Sequence, residues 1–412
     1  MSTTPNILTL DILKAAITDG SSAIRTRITY EPAAGNGTKV FPPTYEGGKY
    51  ALEGHDKEAG TASRVLLDSV QAQANRMELA LLEAKRRDQL SLPVITTKIE
   101  GKGLLKQFSV SSLEAPHRIA DALLRDSTLN GTKFRESEVG KSLDSVDLKN
   151  ATPLLKHCPT ALIFGLWDST GPKGGLGVKF ARALVSELVA HTVQLGVKTS
   201  SRIDPAEIVK DAAILYAAAN GGWTLDEKEA LKGEKGKPVI LGKEGKPSEA
   251  NHGNVTPSMF DKNKQPLPGG VIFEKAEQTV VLSLTALRRL CFPLTVGTTT
   301  DIATDDKART LLAALGLCAA VLAAEQNSDL RSRCQLHATK PPEWEILTAG
   351  EPAKPYALTR QQALDLFKTA LKEATEAGLP WHEEEVELHA SPQLVELIRR
   401  SQTLAAKTTA EP

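Results

Sequence analysis

Between Lys228 and Gly270 the chain holds eight lysines, seven glycines and five prolines against five acids, with almost no apolar periodicity. Such a stretch cannot bury enough apolar side chain to be core, so the core must be assembled from the segments on either side of it. The chain has 412 residues, ample for a substantial interior even with this excursion set apart. Upstream, Ala23 to Tyr30 alternates: Ile24, Thr26, Ile28 and Tyr30 face inward and Arg25, Arg27 and Thr29 outward, which predicts a strand with a basic outer face. LLDSVQAQANRMELALLEAKRR predicts a helix with Leu66, Val70, Ala74, Met77 and Leu81 on its buried stripe and Asp68, Gln71, Asn75 and Glu78 opposite. FPPTYEGGKY, from Phe41 to Tyr50, has the Pro and Gly content of an ordered turn.

A shorter helix is expected at His117 to Arg125, and the apolar run Pro159 to Trp167 predicts a buried strand. Beyond the excursion, strands are expected at Val271 to Phe273 and Gln278 to Leu284. Helices are expected near Leu287 to Cys291 and Ala308 to Ala324, with a partly helical segment after Pro380 and a flexible tail over 403–412. No internal repeat is visible. Strands separated by helices and by long irregular excursions fit an α+β domain better than a doubly wound sheet.

Lys plus Arg equals Asp plus Glu at 50 each, so a polyanionic partner would have to be met by a local basic surface. With nine Phe, five Tyr and four Trp, the chain does not have the composition of a protein that reads single strands mainly by stacking. Cys158, Cys291, Cys318 and Cys334 lie far apart without zinc-ligand spacing and are expected as reduced core thiols. The N-terminus lacks the features of a signal peptide, and the longest apolar run, Leu311 to Ala324, is short of the roughly 20 residues of a bilayer span. These observations predict a soluble, cytoplasmic protein with no membrane partner.

The stretch GLWDSTGPKGGLGVKFARALVSEL, Gly165 to Leu188, is the main functional candidate. Gly171, Gly174, Gly175 and Gly177 could turn several main-chain N–H groups toward one point. A helix opening at Lys179 would add its N-terminal partial charge, with Phe180, Leu184 and Leu188 buried and Lys179 and Arg182 sharing a face near Lys173. The spacing fits neither a Walker loop, since Lys173 follows Pro172, nor the GxGxxG fingerprint. Three readings stay open: a turn for close packing, a phosphate-backbone cradle, and a mononucleotide or enzyme site. KTSSRIDP offers Lys198, Ser200, Ser201 and Arg202 as further phosphate donors, or a helix-capping turn on Ser201 or Asp204. His382 and His389 in WHEEEVELH miss the HExxH spacing, so no metal or cofactor is expected.

Taken together, FPPTYEGGKY, LLDSVQAQANRME, HRIADALLRDS, CPTALIFGLWDSTGPKGGLGVKFARALVSE, KTSSRIDP, NHGNVTPS and QTVVLSLTALRRLCF, running from Phe41 to Phe292, resemble the backbone subunit of type I-G (formerly I-U) CRISPR interference complexes, a RAMP-superfamily protein of the Cas seven group. The resemblance implies a single RRM-like (ferredoxin-like) palm over 1–412 with large insertions, including a thumb-type excursion for which 228–270 is the candidate. It implies a non-catalytic protein that polymerises head-to-tail as a helical filament on guide RNA (crRNA). The guide would then pair with target DNA, and other CRISPR complex subunits would join the assembly. The RNA-binding residues it implies are Gly171, Lys173, Gly174, Gly175, Gly177, Lys179 and Arg182, then Arg25, Arg27, Arg202 and His252, with Lys198, Ser200 and Ser201 beside them. The alternative is a nucleotide-using enzyme or ribonuclease centred on Asp168 and the glycine-rich loop, because a backbone-subunit aspartate cuts target RNA in related type III complexes. A capping role for Asp168 at the tight turn is the more ordinary one.

Overall fold

The computed structural model describes residues 6–169, 179–199, 201–233, 236–254, 259–260, 267–295, 297–298, 300–326 and 329–410, and the side chains of all of these but 268 and 407–410. The chain divides into two compact units. The first comprises residues 1–99, 108–194 and 271–391, the second residues 100–107, 195–270 and 392–412.

In chain order, helix α1 (Leu10–Thr18) precedes strand β1 (Ala23–Pro32), and strands β2 (Leu52–Asp56) and β3 (Thr61–Asp68) lead into helix α2 (Val70–Arg86). Short strands β4 (Leu166–Trp167) and β5 (Lys179–Phe180) come before the long strand β6 (Leu184–Val197). Then follow strand β7 (Pro268–Ser283), helices α3 (Leu284–Arg288) and α4 (Ile302–Ala324), strands β8 (Glu343–Leu347) and β9 (Lys354–Ala357), and helix α5 (Arg360–Glu376). The protein is a mixed α+β structure. Among the described residues its large sheet has ten strands, the main path running Asn6–Ile7, β9, β8, β1, β7, β6, β3, β2. Asn6–Ile7 is parallel to β9, whereas β8–β1, β1–β7 and β6–β3 are antiparallel.

Alternation along β1 resolves as the sequence predicts: Ile24, Thr26, Ile28 and Tyr30 are buried while Arg27 and Thr29 are exposed. Ile24 joins Val280, Leu282, Leu184, Met77 and Leu81 in the main core, which includes most of α4. Length and composition alone would let α4 cross a bilayer, but 89% of its most apolar window is buried inside the protein. It packs against α1, α2 and α5, which explains why its apolar residues lie all around the helix rather than along one stripe.

A polar seam runs through this interior. Tyr30 donates to Gln278 Oε1 (2.9 Å), Gln278 Nε2 to Gln73 Oε1 (2.8 Å) and to Ser186 Oγ (3.0 Å), and Gln73 Nε2 to Asp68 Oδ2 (2.7 Å). Arg76 and Arg331 close the seam on Asp68 at 2.9 and 3.1 Å. One residue each from β1, β7 and β6 is thereby tied to α2, so the helix is held over the sheet in a fixed register by bonds that an apolar contact could not direct.

Several local expectations change. Leu66 and Asp68 belong to β3, with α2 starting only after its N-cap Ser69, whose hydroxyl accepts from Ala72 N at 3.2 Å. Asp68 and Glu78, expected on the outer face, are each 1% exposed. The expected helix at 117–125 is a 3-10 turn, Arg118–Ala120, followed by a four-residue α-helix, Ala122–Arg125. Pro159–Trp167 is not a strand: Thr160–Phe164 is helical and only Leu166–Trp167 is extended. The segment from Lys179 onward is not a helix but β5 and β6, so no helix dipole stands behind the glycine-rich stretch.

The second unit has its own small core, Leu215, Leu241 and Ala250 with Ala217 packed on them, and a two-stranded ladder of Tyr216–Ala217 with Trp223–Thr224. Gly269 comes so close to the chain at Val197 and Lys198 that an added Cβ would lie 2.2 Å from Lys198 N, so only glycine fits. On the helix Pro392–Ala410, the side-chain Oε1 of Gln402 accepts from the amides of Leu105 and Lys106 at 2.8 and 3.2 Å.

Candidate nucleic-acid interface

β4 and β5 pair antiparallel with Lys179 opposite Trp167 and Phe180 opposite Leu166. The ladder therefore draws together the two ends of the glycine-rich stretch. Gly171, Lys173, Gly174, Gly175 and Gly177 lie outside the described residues, as does Ser200.

At this ladder a cleft of about 330 Å³ opens, lined by Gln71 and Asn75 of α2, by His117 and Arg118, and by Trp167, Lys179 and Arg182. Its floor is a buried ion pair. Arg118 Nε and Nη2 donate to Glu78 Oε1 and Oε2 at 2.6 and 2.8 Å, and Arg118 Nη1 donates to the Gly165 carbonyl at 3.0 Å. Arg118 is 6% exposed, and its backbone is left-handed (φ 53°). Burial pushes the Glu78 carboxyl up to about 7 against the opposing pull of Arg118. Gly165, at φ 89°, would place a Cβ 3.0 Å from Arg182 Cγ, so the absence of a side chain there is what lets the Arg182 stem lie against the main chain.

Arg182 is half-buried and has no hydrogen bond or ion pair among the described residues. Burial and the like charge of Arg118 push its pKa down, with Glu78 opposing. The Glu78 carboxylate that acts on this guanidinium is already paired with Arg118, so among the described residues Arg182 has no ion-pair partner of its own. Beside it the Lys179 ammonium lies 5.7 Å from the Trp167 ring centroid. Lys179 and Arg182, expected to share a helix face, line one cleft after all, Lys179 from strand β5 and Arg182 from the connection between β5 and β6.

The other predicted residues fare differently. Arg27 is exposed on the sheet face opposite the buried Ile24 and Ile28, while Arg25, on that same face, pairs with Glu345 of β8 at 2.6 Å, so this face is less basic than the sequence implied. In the second unit Lys198 and Ser201 are exposed. Arg202 is committed to carbonyls, donating to His252 O (2.8 Å) and Gly253 O (3.1 Å), and Asp204 accepts from Ala206 N (2.8 Å) and Gly253 N. Asp204 thus pins the NHGN segment instead of capping a helix, and its carboxyl is held down first by the Gly253 amide. His252 meets Trp223 edge-on at 5.9 Å. Asp168 is 8% exposed and paired with Arg135 at 2.7 Å. Among the described residues no three His, Cys, Asp or Glu side chains gather in a metal-binding group.

Sequence reasoning missed Trp167, Asn75, His117 and the Glu78–Arg118 pair. The partners of that pair stand 40 residues apart, so no local spacing reveals them. Trp167, sitting at the entry to the glycine-rich stretch, was the one signal available.

Residues 24–195, which begin in β1, end in β6 and contain the whole cleft, match the family described as CRISPR-associated protein GSU0053 (Cas_GSU0053). Over that span the chain is similar to a CRISPR-associated family. The match agrees with the motif resemblance in CRISPR association and is consistent with a role in CRISPR defence. No curated protein matches the chain.

Proposed function

We propose that this protein is a non-catalytic RNA-binding backbone subunit of a type I-G CRISPR interference complex. It would coat guide RNA head-to-tail through phosphate contacts and leave the bases free to pair with target DNA. The observation that carries the proposal is Arg182, a half-buried cation with no ion-pair partner among the described residues, lining one cleft with Lys179 in the span that matches a CRISPR-associated family. Phosphate contacts of this kind bind any spacer sequence, as a guide carrier must.

Two further features support the reading. The strand order β8-β1-β7-β6, with α2 lying between β1 and β6 in sequence and α4 between β7 and β8, follows the β-α-β-β-α-β path of an RRM-like palm. The second unit, which includes the lysine-rich excursion, is the candidate thumb, and it exposes Ile203, Val209, Ile214 and Leu225, as a surface that meets a neighbouring copy would. The engagement of Asp168 with Arg135 favours a positioning role over cleavage. Expression with a guide array, followed by the 260/280 nm absorbance ratio of the purified protein, tests the proposal: co-isolated RNA is expected, and a nucleic-acid-free protein would count against it.

A further inference from the structure

We infer that the cleft seats one complete nucleotide unit of the bound strand, its base stacked on Trp167 and its phosphate held by Arg182 and Lys179. The inference rests on the RNA-binding reading above and deepens it. Trp167 is 58% exposed even with the Lys179 ammonium near its ring. An indole so placed, at the rim of a cleft whose volume falls in the ~300–1,000 Å³ range of small-ligand sites, leaves a large apolar surface in water that a base would cover. Lys179 and Arg182, which line the same cleft, supply the positive charge that neutralises a nucleotide's phosphate.

The remaining wall suits a base edge. Gln71 and Asn75 stand one turn apart on the exposed side of α2, and with His117 they line the cleft without a side-chain hydrogen bond among the described residues. Amides and imidazole both donate and accept, so they can serve different bases. The chain as a whole is poor in aromatics, so a single stacking position per subunit is consistent with a protein that leaves most bases unstacked.

The test uses the full-length protein and single-stranded RNA carrying 2-aminopurine, whose fluorescence falls on stacking. Trp167→Ala is expected to weaken binding about 5- to 100-fold with an unchanged salt slope, and to abolish the quenching. Trp167→Phe should restore most of both, and because Trp167 is exposed neither change endangers folding. Equal affinity and equal quenching in wild type and Trp167→Ala overturn the inference; if Arg182→Ala still weakens binding, the phosphate reading survives. Free AMP arms separate the sources: weak competition by AMP supports a strand-borne nucleotide, whereas tight AMP binding that RNA does not displace overturns it. Indifference of RNA binding to all three substitutions overturns both readings.

Discussion

Replacing Arg118 by Met removes the bidentate partner of Glu78 and the donor to Gly165 O while keeping an unbranched stem in the cleft floor. A carboxylate 1% exposed would then keep only the Thr160 hydrogen bond and the charge of Arg182, a change worth about 3–5 kcal/mol. The pH dependence makes the reasoning specific. In the wild type the Glu78 pKa is already raised from 4.5 to about 7, so the folded state holds a proton that the unfolded chain releases. Its stabilising contribution is full below pH 4.5 and is lost as pH rises through 7, about 3 kcal/mol in all at 1.36 kcal/mol per unit. Without Arg118 both of its pKa-lowering influences vanish and the folded value climbs further. The deficit of Arg118→Met should therefore be largest at pH 8 and shrink toward pH 5, measured by urea denaturation across that range. Glu78→Gln should instead remove the Glu78 contribution between pH 4.5 and 7, the part that falls as pH rises. A deficit under about 1 kcal/mol that does not vary with pH would refute the buried-pair account.

His157 offers the opposite sign: burial, ahead of Lys156 and His382, lowers its pKa from 6.5 to about 4, so about 3 kcal/mol is present above pH 6.5 and lost as pH falls through 4. His157→Phe should make the stability difference from wild type grow in its favour on acidification, and parallel pH curves would exclude this. Because the Glu78 and His157 slopes oppose each other between about pH 4.5 and 6.5, each substitution should unmask the other group, and the double variant should resemble wild type more than either single variant does. Gln278→Leu removes the buried bonds that Gln278 makes with Tyr30, Gln73 and Ser186 and should cost about 1–3 kcal/mol with RNA binding unchanged in the surviving folded fraction; a neutral effect on denaturation would show these bonds to be dispensable.

Much of the frame is legible in the sequence because strict alternation in β1 and β7 and the apolar stripe of α2 each admit one periodicity. The segment after Lys179 does not. Phe180, Leu184 and Leu188 are all buried, but a spacing of four is both about one helical turn and two full strand repeats. The β-branched Val185, Val189, Thr192 and Val193 favour the strand, and Val185 is exposed while Ser186 is buried, as alternation requires. Pro159 to Phe164 fails for the converse reason: a short helix buried on every side has no polar face to betray its period. Glu78 falls opposite the apolar stripe of the helical pattern, and its partner Arg118 is set by the tertiary fold. The cleft is half legible: charge near glycines marks Lys179 and Arg182, but Lys179 stands on the two-residue strand β5 and Arg182 in the connection to β6 rather than both on one helix.

Lys179 and Arg182 are proposed to hold a polynucleotide by its phosphates. The salt dependence of RNA affinity for wild type and for the double variant Lys179→Ala, Arg182→Ala tests it most directly. A slope in log Kd against log salt that falls by about 0.7 per lost contact, with every RNA sequence weakened alike, is the expected result. An unchanged slope, or a loss confined to one sequence, would contradict it.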